Sequence, residues 1–116
     1  MSDYGAMIIL EKKGEKSFSD VDKALLKQEI EKIKSENEFK DALGQDFLFI
    51  VSEGIGIGFS YLTVILSQYW YAGGGDENED FEFAKENDLT ETEKVAEKLK
   101  TVLGQNFEIK ACFENW

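Results

Sequence analysis

Apolar residues follow a helical spacing in two parts of this chain. In the first part, SFSDVDKALLKQEIEKIKSENEF (17–39), they recur every three or four positions with lysines and glutamates between them: Val21, Leu25, Leu26, Ile30 and Ile33. Ser19 is a candidate N-cap, and Asp22 three residues later resembles its partner in a capping box. The pattern predicts an amphipathic helix that lies against another layer of the fold.

The second helical pattern lies near the end of the chain, in DLTETEKVAEKLKTVLG (88–104). Thr90 and Glu93 form another capping-box pattern, and Gly104 suits the residue that ends a helix. The predicted buried stripe consists of Val95, Ala96, Leu99, Val102 and Leu103. We therefore predict a second amphipathic helix with Thr90 as its N-cap.

The other apolar segments have the composition of β-strands. Residues 6–13 (AMIILEKK) predict a first strand that ends at Gly14. Residues 44–54 contain FLFIV, a run that is apolar on both faces of a strand. Residues 106–113 (NFEIKACF) alternate between apolar and polar positions, as expected for a strand with one buried face.

Residues 57–71 are open to two interpretations. The segment is rich in β-branched and aromatic residues, which favours a long strand paired with its predecessor through a turn near Gly54–Gly58. A helix over 59–71 is the competing interpretation, because apolar residues there also fit a helical spacing: Phe59, Leu62, Leu66 and Tyr69. We expect the strand.

These elements follow one another in the order βαββαβ, and the weak alternation of DFEFAKEN adds an edge strand near residues 81–84. The pattern L-G-Q-[D/N]-F occurs at both predicted helix-to-strand junctions, at 43–47 and 103–107. With right-handed crossovers this order predicts an α+β, two-layer, ferredoxin-like sandwich (split β-α-β) with both helices on one face of the sheet. A chain of 116 residues is expected to form one domain, 1–116.

Composition excludes several classes of function. The chain has no histidine and no arginine, so it lacks Ser-His and Cys-His catalysis and bidentate arginine clamps for phosphate. Its net charge of −11 disfavours binding to nucleic acid or to anionic membranes. Cys112 is the only cysteine, which excludes an internal disulfide. The apolar stretch 55–71 is interrupted by polar residues and the N-terminus does not resemble a signal peptide, so we expect a cytoplasmic protein without a membrane span.

The segment YAGGGDENED (71–80) raises the question of a ligand site. Acids follow its glycines where a phosphate-binding loop has lysine and serine or threonine, so we expect no nucleotide site. As a calcium loop it begins well, with acidic and amide side chains at alternate positions, but Phe81 and Asn87 stand where glycine and a bidentate glutamate are required. Opportunistic calcium binding is the alternative left open. We predict no catalytic residue, no dedicated metal site and no cofactor.

The acidic excess is concentrated late in the chain, since residues 76–116 hold twelve acids and five lysines. This acidic segment follows three aromatic residues, and aromatic side chains beside acids are typical of a binding rim. We predict a partner-binding surface made of Tyr69, Trp70, Tyr71, Asp76, Glu77, Glu79, Asp80 and Glu82.

These features predict a non-enzymatic acidic protein that binds a basic protein partner, for example as an immunity- or inhibitor-type protein. The alternative is a regulatory domain that binds a small molecule or a cation and forms a homodimer through the open face of its sheet. A carboxylate- and metal-dependent enzyme is a third interpretation. Neither nucleic acid nor a membrane is an expected partner.

Overall fold

The structure, a computed structural model, describes residues 2–14, 17–56, 59–71 and 77–115. Within these residues the chain forms five strands and two helices. Their order is β1 (Ser2–Lys12), α1 (Asp20–Glu36), β2 (Ile50–Gly56), β3 (Phe59–Ile65), β4 (Tyr69–Tyr71), α2 (Glu77–Leu103) and β5 (Phe107–Asn115).

All described strand pairs are antiparallel, and β1 lies in the interior of the sheet. Tyr4 of β1 pairs with Tyr69 of β4 on one side and with Asn115 of β5 on the other. Met7 pairs with β3 on one side and again with β5 on the other. Strands β3 and β4 therefore lie end to end along the same edge of β1, and β2 pairs with the outer side of β3. The protein is a small α+β domain with four rows of antiparallel strand.

The hydrophobic core lies between the two helices and one face of this sheet. On β1 the alternate residues Ala6, Ile8 and Leu10 are completely buried, whereas Met7 and Ile9 on the other face are only partly covered. The buried residues of both helices belong to the same core cluster, including Leu26 of α1 and Leu99 of α2. Full burial of an aliphatic side chain contributes roughly 1.5–3 kcal/mol relative to exposure, so these residues determine which face the helices cover.

Helix α1 and its start confirm the sequence prediction. The Ser19 hydroxyl accepts a hydrogen bond from the backbone of Asp22 at 3.2 Å, and the Asp22 carboxylate accepts one from the backbone of Ser19 at 2.9 Å. The predicted stripe is correct for Leu26, Ile30 and Ile33, which are buried. It is wrong at its first two members, since Val21 and Leu25 are exposed on the first turns of the helix.

Helix α2 begins earlier than predicted. The expected edge strand near residues 81–84 is wrong, because these residues lie inside α2. The expected N-cap Thr90 is also wrong, because it too lies inside the helix. The hydroxyl of Thr90 donates to the carbonyl oxygen of Glu86, one turn earlier in the same helix. The physical reason is a buried helical stripe that continues through the acidic segment, formed by Ala84, Asp88, Thr92, Val95, Leu99 and Leu103.

The predicted strands needed three corrections. Residues 44–54 were expected to form one strand, but β2 begins only at Ile50, and Phe49 has a positive φ of 51° that ends the preceding irregular segment. The long strand 57–71 is interrupted after Ile65 and resumes at Tyr69, while residues 57 and 58 lie outside the described residues. The competing helix over 59–71 is wrong. The first strand is longer than expected, and the last strand is confirmed.

Candidate functional site

The interruption between β3 and β4 is a β-bulge. The carbonyl oxygen of Ala6 accepts hydrogen bonds from two successive backbone amides, those of Leu66 at 2.9 Å and Ser67 at 3.3 Å. Between the Met7–Ile65 and Tyr4–Tyr69 pairs, β1 advances by three residues and the opposite chain by four. A bulge redirects side chains relative to a regular strand. Here it places Leu66 and Ser67 in the interior together.

Glycine at position 5 permits this arrangement. A Cβ atom on Gly5 would overlap the carbonyl oxygen and carbonyl carbon of Ser67, which are backbone atoms and cannot rotate away. The Ser67 hydroxyl in turn accepts a hydrogen bond from the backbone amide of Ala6 at 3.1 Å. Hydrogen bonds from both strands therefore stabilise the bulge, and its geometry depends on the close approach that only glycine allows.

The redirected chain meets a buried carboxylate on α2. Asp88 is completely buried, and its Oδ2 atom accepts hydrogen bonds from the hydroxyls of Ser67, at 2.6 Å, and Tyr69. Its Oδ1 atom accepts a hydrogen bond from the side-chain amide of Asn87 at 2.8 Å. Burial of a carboxylate is costly unless hydrogen bonds replace its hydration. Three donors do so here.

The Tyr69 hydroxyl joins this carboxylate to a loop between α1 and β2. The hydroxyl donates to Asp88 and accepts from the backbone amide of Ala42 at 3.0 Å. Burial raises the pKa of Tyr69 well above its ordinary value, and the neighbouring carboxylate of Asp88 raises it further, so the hydroxyl keeps its proton. The loop itself is closed by Asp41, whose Oδ1 atom accepts from the backbone amides of Leu43 and Gln45.

A cavity of 370 Å³ opens between this loop and α2. The rings of Tyr4 and Tyr69, stacked with their centroids 5.3 Å apart, contribute to its lining. Leu43 of the loop and Phe83 of α2 also line it, and both are strongly exposed, at 70% and 64%. Large apolar side chains are usually covered, so two exposed ones beside one cavity mark a candidate binding surface. We call this cavity the aromatic cavity.

The surface of α2 around Phe83 is acidic. Residues 77–93 contain eight acids and one lysine, whereas residues 94–103 contain one acid and three lysines. Glu82 and Glu86 are exposed and line depressions that include Phe83, and Glu93 continues this exposed surface along the helix. We call Glu82, Glu86, Glu93 and Phe83 the acidic face. The order of charges also suits the helix macrodipole, which favours anions near the N-terminus and cations near the C-terminus.

The structure places the eight predicted partner-binding residues in different settings. Tyr69 is 8% exposed and takes part in the buried network, and it also lines the aromatic cavity. Glu82 is exposed on α2, as a partner-binding residue requires. Trp70 and Tyr71 belong to β4, and Glu77, Glu79 and Asp80 belong to the first turns of α2, but their side chains lie outside the described part of the structure. Asp76 lies outside the described residues.

Phe83, Leu43 and Asp88 were missed in the sequence. The sequence pattern predicts an edge strand at Phe83, whereas its exposure follows from its place in a helix, next to the buried Ala84. The signal that could have found it is the spacing of Ala84, Asp88 and Thr92, which continues the stripe of the predicted helix towards the N-terminus. A buried aspartate inside that stripe is a polar residue at a core position, which marks a site that needs explanation.

The calcium-loop interpretation does not fit the backbone. An EF-hand-like loop wraps consecutive side chains around one ion, but residues 77–87 are helical. Among the described residues, no group of three or more acidic or cysteine side chains is arranged to hold a metal ion. Burial raises the pKa of the Cys112 thiol to about 11, with the nearby Glu114 carboxylate adding to the shift, so this thiol is a poor nucleophile.

Comparison with known proteins adds no family or relative. No family model matches the sequence, and no curated protein and no solved structure is significantly similar to the chain. Among the described residues, neither helix has an apolar run long enough to span a membrane.

Proposed function

We propose that the protein is a non-enzymatic binding protein that engages a basic protein through the acidic face. The observation that carries the proposal is the exposed ring of Phe83 among the carboxylates of α2. An immunity-type or inhibitor-type protein that neutralises a cationic partner is one concrete form of this function.

The physical argument combines an anchor with a charged rim. Aromatic side chains that become buried on binding are frequent energetic hot spots, and Phe83 has most of its surface available for burial. The surrounding carboxylates steer a cationic partner towards this anchor and repel acidic proteins. Because these carboxylates are exposed, salt screens their attraction, so binding is expected to weaken as ionic strength rises.

Chemistry elsewhere in the chain supports binding rather than catalysis. The chain has no histidine, the Cys112 thiol is buried and protonated, and hydrogen bonds occupy both oxygens of Asp88. The Asp88 network connects the sheet, the loop and α2 beneath the exposed surface. We therefore assign it the role of a rigid support for the binding surface.

The proposal is tested by capture from native cells followed by reconstitution. The immobilised protein is incubated with lysate at about 0.05 M and about 0.5 M salt, and any stoichiometric partner is identified and purified. The expected partner is a basic protein that is retained at low salt and released at high salt. Calorimetry with the purified partner is then expected to show about 1–2 kcal/mol weaker binding to Phe83→Ala.

Charge reversal on the acidic face provides the second arm of the test. The triple variant Glu82→Lys, Glu86→Lys and Glu93→Lys is expected to lose the partner. The matched control has the same change in net charge at exposed positions on other elements: Glu31→Lys, Glu36→Lys and Glu108→Lys. If the acidic-face variant still binds the partner and the control variant does not, the interface lies outside α2. Absence of a basic partner at either salt concentration would refute the proposal.

A second candidate function has an observation in its favour. The face of the sheet opposite the helices, which we call the open sheet face, has an apolar row formed by Ile50, Ile65, Met7 and Cys112 on four neighbouring strands. Ile50 in this row is 48% exposed. A regulatory domain that dimerises through this face would bury the row. Sedimentation analysis tests this, with dissociation by Ile50→Lys as the expected result for a dimer.

We also propose that the sheet follows the ferredoxin-like plan. The support is the position of β1 between β3 and β5, with β2 beyond β3 and β4 continuing the row of β3. An experimental structure tests this plan, since cross-strand contacts of Ile8 with both Val64 and Ala111 are required by it. Loss of either contact would indicate a different strand order.

A further inference from the structure

We infer that the aromatic cavity receives the side chain of an arginine from the basic partner. This inference rests on the proposed function and names the group that the binding surface recognises. The cavity has 370 Å³, within the roughly 300–1,000 Å³ that small ligand sites occupy, and it is open at the surface between Leu43 and Phe83.

The first argument is the chemistry of the lining. Three aromatic rings border the cavity, those of Tyr4, Tyr69 and Phe83. The face of an aromatic ring attracts cations, and a guanidinium group also stacks on it because the group is planar and weakly hydrated. A side chain with an apolar stem and a guanidinium end therefore matches both the apolar rim and the aromatic lining.

The second argument is charge complementarity. Phe83 lines the aromatic cavity and also the neighbouring depressions that contain Glu82 and Glu86. A cation that enters beside Phe83 lies in the field of these carboxylates, whereas an anion or a purely apolar group gains nothing from them. The occupant is therefore positively charged.

The third argument separates arginine from other cationic occupants. The chain has no arginine, so a second copy of this protein cannot supply the guanidinium group. Lysine carries a more strongly hydrated ammonium group that stacks less well on aromatic rings. An arginine of a different protein is the occupant that satisfies the lining and the charge together.

Tyr69 connects the two elements that border the cavity, the loop and α2. Its hydroxyl is bonded to Ala42 in the loop that carries Leu43 and to Asp88 in the helix that carries Phe83. The two sides of the cavity are thus connected through one oxygen atom. Tyr69 acts as a positioning residue, because it holds the loop and the helix at the separation that leaves the cavity open.

The test uses N-acetyl-arginine amide as the probe and N-acetyl-citrulline amide as its neutral analogue of nearly the same shape. Nuclear magnetic resonance spectra of the isotope-labelled full chain are recorded during titration with each compound. We expect signals of Leu43, Phe83 and Ala84 to shift with the arginine compound, and the citrulline compound to bind at least about tenfold more weakly.

Variants decide whether the aromatic cavity is the site. Phe83→Ala and Leu43→Ala change exposed side chains, so both proteins are expected to fold, and each is expected to weaken binding of the arginine probe by about fivefold or more. Val102→Ala removes another exposed apolar side chain, 51% exposed, at the far end of α2 and is expected to leave binding unchanged. Tyr69→Phe is also expected to lower the affinity for the arginine probe, because it removes the hydroxyl that joins the loop to α2.

Several results would overturn the inference. Equal binding of the two probes would show an apolar site, tighter binding of N-acetyl-lysine amide would assign it to lysine, and shifts spread along the whole acidic helix would show nonspecific charge attraction. These results leave the capture experiment unaffected. Conversely, a partner that binds the acidic face equally well after its arginines are replaced by lysines would refute the arginine site while supporting the proposed function.

Discussion

The hydroxyl of Tyr69 donates a hydrogen bond to the buried carboxylate of Asp88 and accepts one from the backbone of Ala42. One side chain therefore connects β4, α2 and the loop before β2. The relationship depends on the bulge, because the additional residue in the strand brings Ser67 to the same carboxylate. This connection is the basis of the first prediction.

Tyr69→Phe keeps the aromatic ring but removes both hydrogen bonds. We expect the free energy of unfolding to fall by about 1–3 kcal/mol, because the buried carboxylate of Asp88 loses a donor and the partly buried amide of Ala42 loses its acceptor. Urea unfolding followed by circular dichroism measures the change. Tyr61→Phe, on the partly exposed opposite face of the sheet, is the matched control. A loss no greater than that of the control would show that the network contributes little to stability.

Gly5→Ala tests the close approach at the bulge. The added methyl group would overlap the backbone of Ser67, so β1 and the segment that contains Ser67 must separate or the bulge must rearrange. We expect a loss of stability of about 1–3 kcal/mol, the usual cost of forcing extra volume into a packed interior. Gly14→Asn is the control, because this glycine has a positive φ but open space around it. Equal effects of both substitutions would contradict the steric explanation.

The thiol of Cys112 is expected to react slowly in the folded protein. Burial raises its pKa from the ordinary 9.0 to about 11, so at about pH 8 the thiolate fraction is roughly 100-fold lower than in the unfolded chain. Labelling with iodoacetamide, followed by mass spectrometry with and without urea, measures the ratio. Ser52→Cys in a Cys112→Ala background is the exposed control on the same sheet. Similar rates for the control and for native Cys112 would contradict the burial of this thiol.

The same thiol has a consequence for stability at high pH. Its raised pKa means that the folded state holds the proton more tightly than the unfolded state does. This contribution to stability is fully present below pH 9.0 and is lost as the pH rises towards about 11. Urea midpoints measured across this interval are expected to fall less steeply for Cys112→Ala than for the unaltered protein.

The capping carboxylate of Asp22 is expected to lose its contribution at low pH. Burial alone would raise its pKa, but hydrogen bonds from Lys12, at 2.7 Å, and from Ser19 bring the pKa below its ordinary value of 3.8. The unfolded state therefore binds a proton more readily, so the stabilisation is present above pH 3.8 and is lost as the pH falls through the lower folded value.

Asp22→Asn isolates this charge, since asparagine keeps an oxygen that can accept the capping bond. We expect the variant to be about 1 kcal/mol less stable than the unaltered protein near neutral pH. The difference is expected to shrink as the pH is lowered from neutral to well below 3.8, because protonation then removes the charge of Asp22. Glu36→Gln at the exposed end of α1 is the control. A difference that is the same at both pH values would contradict the ion pair with Lys12.

The fold was predictable where a short stretch of sequence contains the complete signal. The start of α1 is such a case, because Ser19 and Asp22 supply both halves of the capping box without help from the rest of the chain. The hairpin of β2 and β3 is another, since its β-branched and aromatic residues favour paired strands. The early start of α2 was missed because Thr90 and Glu93 imitate a cap inside a longer helix.

The candidate site was predictable only in its charge. The acidic excess after residue 75 led to Glu82, and the helix then assigned Phe83 to the same surface. Tyr69 was expected at a binding rim, whereas its hydroxyl is directed to the interior towards Asp88. No spacing in the sequence relates these two residues, since they are nineteen positions apart and belong to different layers.

By itself, the sequence determined the acidic character of the chain, the amphipathic helices and the strand-forming segments, because composition and local periodicity act over a few neighbouring residues. Only the tertiary structure decided that a bulge interrupts residues 57–71, that Asp88 is buried under it, and that Leu43 and Phe83 border one cavity. These features arise where a helix, a loop and two strands pack against one another. Their geometry depends on contacts between residues far apart in the chain.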